Sequence, residues 1–496
     1  MSALRWLVLL LALGLAGLAL QRLEALRGGV VSTPLTVGET PATVYRSGDA
    51  PAPVVVIAHG FAGSRQLMEG FALTLARAGY IVVSYDLLGH GRNPVPMSGD
   101  VTVIEGTTTV LMDELARVAD AALALPGADG RLALLGHSMA SDIVVRQAVR
   151  DSRAGAVVAV SMFSLAVTPD APRNLLVVAG AWEGMLAAEA LAALHLADAG
   201  AGYAQTVGDP GAGTGRRAVL APDVEHVGVL YSATTLREAR DWLDASFDRQ
   251  SGGPVAARGG WVALLLVAVV ALGWPLAGLA RRWRAATPPL RLPRGAFLLA
   301  VLGPAIATPL ILWPFDTRFL PVLVADYLAL HFLVMGGLAL VLAARGGALR
   351  VDAVGLLLAL PVAGFGIVLF GGALDRHVAA FFPTPERLLL IAAIAAGAVP
   401  WMLADAVLTE AGRAPLWRVL VMRGAALGSL GLAVALDFEG LMFLVIILPV
   451  ILLFYLLFGT IAGWVGRATW RPWATGVGLG LFLAWALGVT FPLFAV

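Results

Sequence analysis

LALLGHSMASDIVV, residues 132–145, is the stretch that decides the fold. Its pattern predicts a short apolar strand, a tight turn and the start of a helix. Ser138 lies at the turn, with one small residue two positions before it, Gly136, and another two positions after it, Ala140. This spacing is typical of a nucleophile elbow. There a strained turn raises a serine above the sheet edge, and the first amides of the next helix face the group it attacks.

Predicted strands and helices alternate on both sides of this stretch. Apolar runs predict strands at Val54–Ala58, Tyr80–Tyr85, Ala156–Ser161, Leu175–Ala179 and Arg217–Ala221. Helical spacing predicts helices at Gln66–Ala78, Glu105–Leu125, Met185–Ala197 and Val229–Phe247. We therefore predict an α/β fold with a mostly parallel sheet and helices on both faces. In such folds the chemistry collects at the carboxyl ends of the strands.

The rest of the chain is strongly apolar. Hydrophobic residues make up 59% of the 496 positions, far more than in an ordinary soluble protein. After a short linker there are eight stretches long enough to span a membrane, at about 261–280, 295–313, 320–344, 352–374, 388–408, 419–436, 440–463 and 473–494. We predict an N-terminal membrane helix in residues 1–22, an α/β domain in residues 30–250, and an all-α membrane domain in residues 259–496.

The first apolar segment, Leu4–Leu20, is near the lower length limit for a membrane span. It has no convincing small-residue cleavage site near its end, so we predict an uncleaved signal anchor, with a cleaved signal peptide as the alternative. Both interpretations put the α/β domain outside the cytoplasm.

Arginines distinguish the two faces of the membrane domain. They concentrate in the loop 281–294 and in the loops that follow the third, fifth and seventh stretches, and are sparser in the alternate loops. By the positive-inside rule the first set is cytoplasmic. We predict a multi-pass protein of the cell membrane, with a cytoplasmic N-terminus and an extracytoplasmic α/β domain.

Five short motifs between about residues 40 and 248 together resemble the α/β-hydrolase superfamily. They are HGFAG at 59–63, DLLGHGRN at 86–93, GHSMA at 136–140, GAWE at 180–183 and EH at 225–226. Their order and spacing carry the resemblance, which departs from the usual pattern at Ala140, where the family has glycine. The resemblance implies an α/β-hydrolase fold and a serine nucleophile followed in the chain by an acid and a histidine.

Ser138 needs a base, because a serine hydroxyl is a poor nucleophile at neutral pH. His226, just after the last predicted strand, is the expected base. The other histidines of the domain are weaker alternatives. We expect His59 and His90 to have structural roles in their turns, the side chain of His137 to point away from the serine, and His195 to lie within a helix.

The resemblance places the acid in the GAWE turn after the strand Leu175–Ala179, at Glu183. Asp209 and Asp223 remain alternatives. A developing oxyanion needs preformed donors. The backbone amide of Met139, directly after the serine, is one candidate, and the resemblance implies the amide of Phe61 as the other.

Several classes of function find no support in the sequence. The absence of cysteine excludes thiol catalysis and disulfides, and a net charge of +1 gives no basis for nucleic-acid binding. A glycine-rich phosphate motif and a histidine/carboxylate metal cluster are both missing, so we expect no cofactor and no metal. The expected partners are membrane lipids and a hydrophobic acyl or ester substrate.

The interval between the strands ending at Ser161 and starting at Leu175 is short. Many lipases insert a cap there, and Leu165–Asn174 leave no room for one. We therefore expect a capless, membrane-bound serine hydrolase that cleaves a carboxylic ester or related acyl bond outside the cytoplasm. A peptidase or acyltransferase with the same triad is an alternative. Another is a transporter or channel whose hydrolase-like domain only binds ligand.

Overall fold

A computed structural model describes residues 2–495 and the side chains of all of them except 446, 447 and 449. The chain forms two compact units. Of the described residues, the α/β unit contains Ala19–Ala263, Leu374–Ala380 and 492–495. The helical unit contains 2–18 together with Leu264–Ala373 and Phe381–Phe491.

The α/β unit is built on a sheet that has nine strands in the described part of the chain. They are β1 (Val31–Val37), β2 (Thr40–Arg46), β3 (Ala52–Ala58), β4 (Ile81–Tyr85), β5 (Ala128–His137), β6 (Ala154–Val160), β7 (Leu175–Gly180), β8 (Thr206–Val207) and β9 (Arg216–Ala221). Their order is β1-β2-β4-β3-β5-β6-β7-β9-β8. The pairs joining β4, β3, β5, β6, β7 and β9 are parallel, while β1, β2 and β8 pair antiparallel at the two edges. The predicted mostly parallel sheet is confirmed.

Helices cover both faces of this sheet, as predicted. On β3, Val54 and Val56 belong to one apolar core and Val55 and Ile57 to the other, because successive side chains of a strand point to opposite faces. The first core includes residues of the helices Thr109–Leu123, Met139–Arg150 and Gly184–His195. The second includes residues of the helices Glu69–Arg77 and Ala233–Ser246. Burial on both faces explains why the central strands are continuous apolar runs.

The helix predicted over Glu105–Leu125 begins differently in the structure. A π-turn covers Ile104–Thr108, and the α-helix proper begins at Thr109. The backbone leaves helical geometry at Gly106, where φ is −88° and ψ is −125°. A Cβ atom there would lie 2.0 Å from the carbonyl oxygen of Asp100, so this close passage of the chain requires glycine.

Among the described residues, nine helices are long and apolar enough to cross a membrane. One is Ala3–Ala25, near the N-terminus. The others are Gly259–Trp283, Arg294–Leu312, Ala325–Arg345, Ala353–Asp375, Glu386–Leu408, Leu416–Leu436, Val450–Thr469 and Pro472–Thr490. The transmembrane helices predicted from hydropathy are thereby supported.

Two short segments from the C-terminal half of the chain pack as parts of the α/β unit. Asp375 forms an ion pair with Arg92, at 2.6 Å. The amide of Met97 donates to the carbonyl oxygen of Leu493, and the amide of Leu493 donates to that of Gly89, at 2.9 and 2.8 Å. The α/β unit is therefore assembled from segments that are far apart in the sequence.

Candidate active site

The turn at Ser138 has the strained geometry that the sequence predicted. Ser138 lies between β5 and the helix Met139–Arg150, with φ +54° and ψ −122°. A non-glycine residue rarely adopts such a φ. A Cβ atom at Gly136 would lie only 2.3 Å from the carbonyl oxygen of Ala140, which explains the small residue there. Ala140 is completely buried, and its methyl group is accommodated.

His226 contacts the serine. It lies in the loop after β9, and its Nε2 is 2.9 Å from the hydroxyl oxygen of Ser138. Its side chain remains 43% exposed, so the base is open to solvent or to a bound substrate. This is the arrangement required for a histidine that removes a proton from a serine.

Glu183 contacts the other ring nitrogen of the same histidine. Its Oε1 lies 2.6 Å from Nδ1 of His226. Its Oε2 accepts hydrogen bonds from the amide of Gly180 at 2.6 Å and from the hydroxyl of Ser161 at 2.8 Å. Burial alone would raise the pKa of Glu183, but the hydrogen bonds from His226, Gly180 and Ser161 together lower it below its usual value. The carboxylate is therefore held ionised and in one orientation.

The alternative histidines of the domain have backbone partners. His59 Nδ1 donates to the carbonyl oxygen of Gly60, His90 Nδ1 lies 2.8 Å from that of Leu88, and His195 Nε2 lies 2.9 Å from that of Ala201. The alternative acids lie elsewhere. Asp209 accepts a hydrogen bond from the amide of Gly211 in its own turn, and the partner of His226 is Glu183 rather than Asp223.

The loop His59–Gly63 lies directly against the elbow. A Cβ atom at Gly60 would be 2.9 Å from Nδ1 of His137 and 3.0 Å from Cβ of Ser138. Phe61 is the next residue of this loop. Met139 is the first residue of its helix, where backbone N–H groups have no acceptor inside the helix. Both predicted oxyanion donors therefore belong to segments that adjoin Ser138.

A buried carboxylate holds this loop in place. Asp86, at the end of β4, accepts hydrogen bonds from the amide of Arg65 at 2.8 Å and from the amide of Arg92 at 3.0 Å. The amide of Leu87 donates to Nε2 of His59 at 3.1 Å. Since this nitrogen is the acceptor, Nδ1 of His59 carries the proton. The motifs at 59–63 and 86–93 thus act as one scaffold.

His137 makes a contact with His226 that the sequence did not predict. Its ring lies beside that of His226, with centroids 4.9 Å apart, and its Nε2 donates to the backbone carbonyl oxygen of His226 at 2.9 Å. Burial, followed by the proximity of His226, lowers the pKa of His137 to about 3. The prediction missed this contact because it depends on where the loop after β9 passes, which the residues next to Ser138 do not encode.

Ser161 is a second residue that the sequence did not single out for this site. It follows β6, and its amide donates to the carbonyl oxygen of Val178 at 2.7 Å. This backbone bond sets its hydroxyl opposite Glu183. The register between neighbouring strands determines the contact, and no local motif indicates it.

Apolar side chains are exposed in the segments that follow β6, β7 and β9. Phe163, Leu165, Trp182, Met185 and Val227 are between 47% and 81% exposed. Trp182 adjoins Glu183 in the chain, and Val227 adjoins His226. We call these five side chains the apolar rim. Within residues 2–495, no group of three or more histidine, aspartate or glutamate side chains could hold a metal ion.

Comparison with known proteins agrees with this geometry. Residues 49–199 match the sequence model of the family described as serine aminopeptidase, S33. Together with the sheet order and the elbow, this match confirms the resemblance to α/β-hydrolases. No curated protein matches the chain.

Solved structures give weaker similarities. An epoxide hydrolase from Vigna radiata aligns at 22% identity and a TM-score of 0.22, over 29% of this chain and 41% of its own. A dienelactone hydrolase from Anabaena variabilis aligns at 20% identity and a TM-score of 0.31, over 43% of this chain and 96% of its own. The chain thus spans about two fifths of the epoxide hydrolase. At TM-scores this low, neither alignment supports assigning the aligned protein's activity to this chain.

The buried His137 should make the protein sensitive to acid. Between its ordinary pKa of 6.5 when unfolded and about 3 when folded, only the unfolded chain binds a proton at this site. The contribution of His137 to stability is therefore lost as the pH falls through this window. Thermal unfolding of the full chain in detergent should show a smaller loss of stability from pH 7 to pH 4.5 in His137→Gln than in the wild type. His195→Gln, at an exposed position, is the control; equal losses in all three proteins would contradict the prediction.

Proposed function

We propose that this protein is a membrane-bound serine hydrolase that cleaves a carboxylic ester or related acyl bond. The observation that carries the proposal is the continuous chain of hydrogen bonds from Ser138 through His226 to Glu183, at 2.9 and 2.6 Å. In this proposal Ser138 is the nucleophile, His226 the general base and Glu183 the group that orients the histidine.

The proposed reaction has two halves. The hydroxyl oxygen of Ser138 attacks the acyl carbon while Nε2 of His226 takes its proton, and the oxyanion is held by the amides of Phe61 and Met139. His226 then returns the proton to the leaving alcohol, which gives an acyl-enzyme. A water molecule, deprotonated by the same histidine, attacks the acyl carbon, and the acid product leaves as Ser138 recovers its proton.

The hydrogen bonds of Glu183 support its proposed role. With the carboxylate ionised, Nδ1 of His226 carries the proton that it donates to Oε1, which leaves Nε2 free to accept the proton of Ser138. The bonds from Gly180 and Ser161 fix the other carboxylate oxygen. Glutamate is thus anchored at both oxygens while it orients the base.

The surroundings of the site favour a hydrophobic substrate. The apolar rim exposes large side chains next to the residues of the proposed triad, and exposed apolar groups of this kind are typical of binding surfaces. The segment between β6 and β7 is short and contributes no cap domain. Long-chain acyl esters fit an open site with such a rim.

A peptidase is the second candidate, because residues 49–199 match a family described as serine aminopeptidase. Peptide and ester cleavage use the same triad chemistry. An aminopeptidase must also accommodate a substrate ammonium group, whereas the rim offers apolar side chains. Comparing hydrolysis of a p-nitrophenyl acyl ester with that of an aminoacyl anilide separates the two candidates.

We also propose that the α/β unit lies outside the cytoplasm of the cell. The arginine-rich loop 281–294 supports a cytoplasmic location for the far end of the helix Gly259–Trp283, which follows the α/β domain directly. Among the described residues, four apolar helices separate this domain from Leu374–Ala380, and four more precede Pro492. Even numbers of spans return the chain to one face, in agreement with the contacts that both segments make in the α/β unit.

Replacing the nucleophile should abolish the chemistry. Ser138→Ala should lose labelling by a fluorophosphonate probe and all ester hydrolysis above background, because no other hydroxyl contacts Nε2 of His226 in the described residues. The measurement is gel fluorescence on membranes that contain equal amounts of protein. Ser164→Ala is the control, since Ser164 donates to Asp142 instead. Labelling that persists in Ser138→Ala would refute the assignment.

Replacing Glu183 should lower kcat more than replacing Ser161, which donates to the carboxylate of Glu183. Glu183→Gln removes the carboxylate that fixes the tautomer of the base, and kcat should fall by about 10³–10⁴-fold. Ser161→Ala removes one hydrogen bond to the same carboxylate, so kcat should fall only about tenfold. Because this bond favours the ionised form, its loss should raise the pKa of Glu183 and move the acid limb of the pH–rate profile upwards. An unchanged profile in Ser161→Ala would argue against a positioning role.

The orientation can be tested with single cysteines, because the native chain has none. Pro254 and Thr287 are both exposed and lie on opposite sides of the helix Gly259–Trp283. An impermeant maleimide applied to intact cells should label Pro254→Cys and spare Thr287→Cys until the cells are opened. The reverse pattern would place Ser138 in the cytoplasm and leave the triad assignment intact.

A further inference from the structure

The helical unit contains a cavity of about 330 Å³, lined in part by charged side chains, that is separate from the candidate active site. It lies among four of the apolar helices, namely Glu386–Leu408, Leu416–Leu436, Leu444–Thr469 and Pro472–Thr490. Thr409 and Thr475 line it, the first directly after the end of one helix and the second in the first turn of another. The cavity is therefore at the ends of these helices, at the depth of a membrane interface.

Two guanidinium groups and one carboxylate line this cavity at the helix ends. Arg423 has a largely buried side chain and pairs loosely with Asp405, at 3.4 Å. Arg467 is exposed and donates to the carbonyl oxygen of Gly412 at 2.9 Å. Two positive charges face one negative charge, so the cavity has an excess of positive charge. Charged side chains within apolar helices are expensive to keep and are functional candidates by default.

Glycines make room for both arginine head groups. A Cβ atom at Gly459 would lie 2.5 Å from Nη1 of Arg423, and one at Gly463 would lie 2.9 Å from Nη1 of Arg467. The two glycines are four residues apart, so they share one face of the helix Leu444–Thr469. Both guanidinium groups therefore pack against the same face of this helix.

The rest of the lining is largely apolar. Met402, Leu416, Val419 and Leu479 contribute to it, beside Thr409 and Thr475. A molecule that matches both the guanidinium groups and these apolar side chains has an anionic head and an apolar body. The planar guanidinium group is well suited to phosphate oxygens, which it can bind through two N–H groups.

We propose that this cavity binds the phosphate headgroup of an anionic membrane lipid, held between Arg423 and Arg467. Basic cavities between membrane helices at the cytoplasmic side are suited to this chemistry, and the orientation proposed above puts this end of the helices on that side. In this arrangement Asp405 orients Arg423 and weakens the affinity for the anion. The proposal is independent of the hydrolase activity.

The experiment is native mass spectrometry of the full chain in detergent, titrated with phosphatidylglycerol or phosphatidylcholine. The wild type should retain phosphatidylglycerol about tenfold more strongly than phosphatidylcholine, and Arg423→Gln/Arg467→Gln should lose this preference. Arg345→Gln/Arg350→Gln, at two exposed positions at and just beyond the end of the helix Ala325–Arg345, is the charge-matched control and should behave as the wild type. Equal retention of phosphatidylglycerol by the double variant would overturn the proposal.

Two further measurements of phosphatidylglycerol retention complete the test. Asp405→Asn should increase the retention of phosphatidylglycerol, an effect that a merely misfolded variant would not give; a decrease would contradict the assigned role of the carboxylate. Millimolar inorganic phosphate should leave the bound lipid in place. Displacement by phosphate would show that the cavity takes the free anion and would overturn the lipid assignment.

Discussion

The positive φ at Ser138 is the constraint on which the rest of the candidate site depends. It points the hydroxyl away from the sheet and towards His226, and the chain can adopt it only because no side chain at position 136 blocks the carbonyl of Ala140. The sheet below supplies the rigidity that holds such strain, since β5 lies between β3 and β6 with both of its faces buried. A strained turn persists only where the surrounding structure is rigid, and the buried apolar strands at the centre of the sheet provide this rigidity.

Around this turn the polar groups form a layered network in which each member is fixed by another. Ser138 contacts His226, His226 contacts Glu183, and Glu183 accepts from Ser161 and from a backbone amide. The side chain of His137 donates a hydrogen bond to the backbone carbonyl oxygen of His226. Each bond restricts the next one. The position of the Ser138 hydroxyl therefore depends on residues at or after the ends of β6, β7 and β9. This preorganisation is what an ionic transition state requires.

Local patterns predicted much of this arrangement. The small residues around Ser138 predicted the turn, and the apolar runs predicted the strands and membrane helices. The motifs at 180–183 and 225–226 contain Glu183 and His226, which contact each other, and His226 contacts the serine. Other contacts depend on distant parts of the chain. The bond from Ser161 follows from strand register, the orientation of His137 from the path of a loop, and the ion pair between Arg92 and Asp375 from packing across nearly three hundred residues. Sequence periodicity carries no information about such pairings.

The bonds that Leu493 and Ala495 form with Gly89 and Met97 have a consequence for biosynthesis. The ribosome makes Met97 before any of the helices beyond Gly259 and makes Leu493 after all of them. At roughly 5–20 residues per second, the interval is roughly 20–80 s. During this time the sheet can form, but the loop after β4 lacks its last backbone partners. Maturation of the α/β unit is therefore coupled in time to insertion of the apolar helices, so the loop beside the HGFAG scaffold is completed only after they have been made.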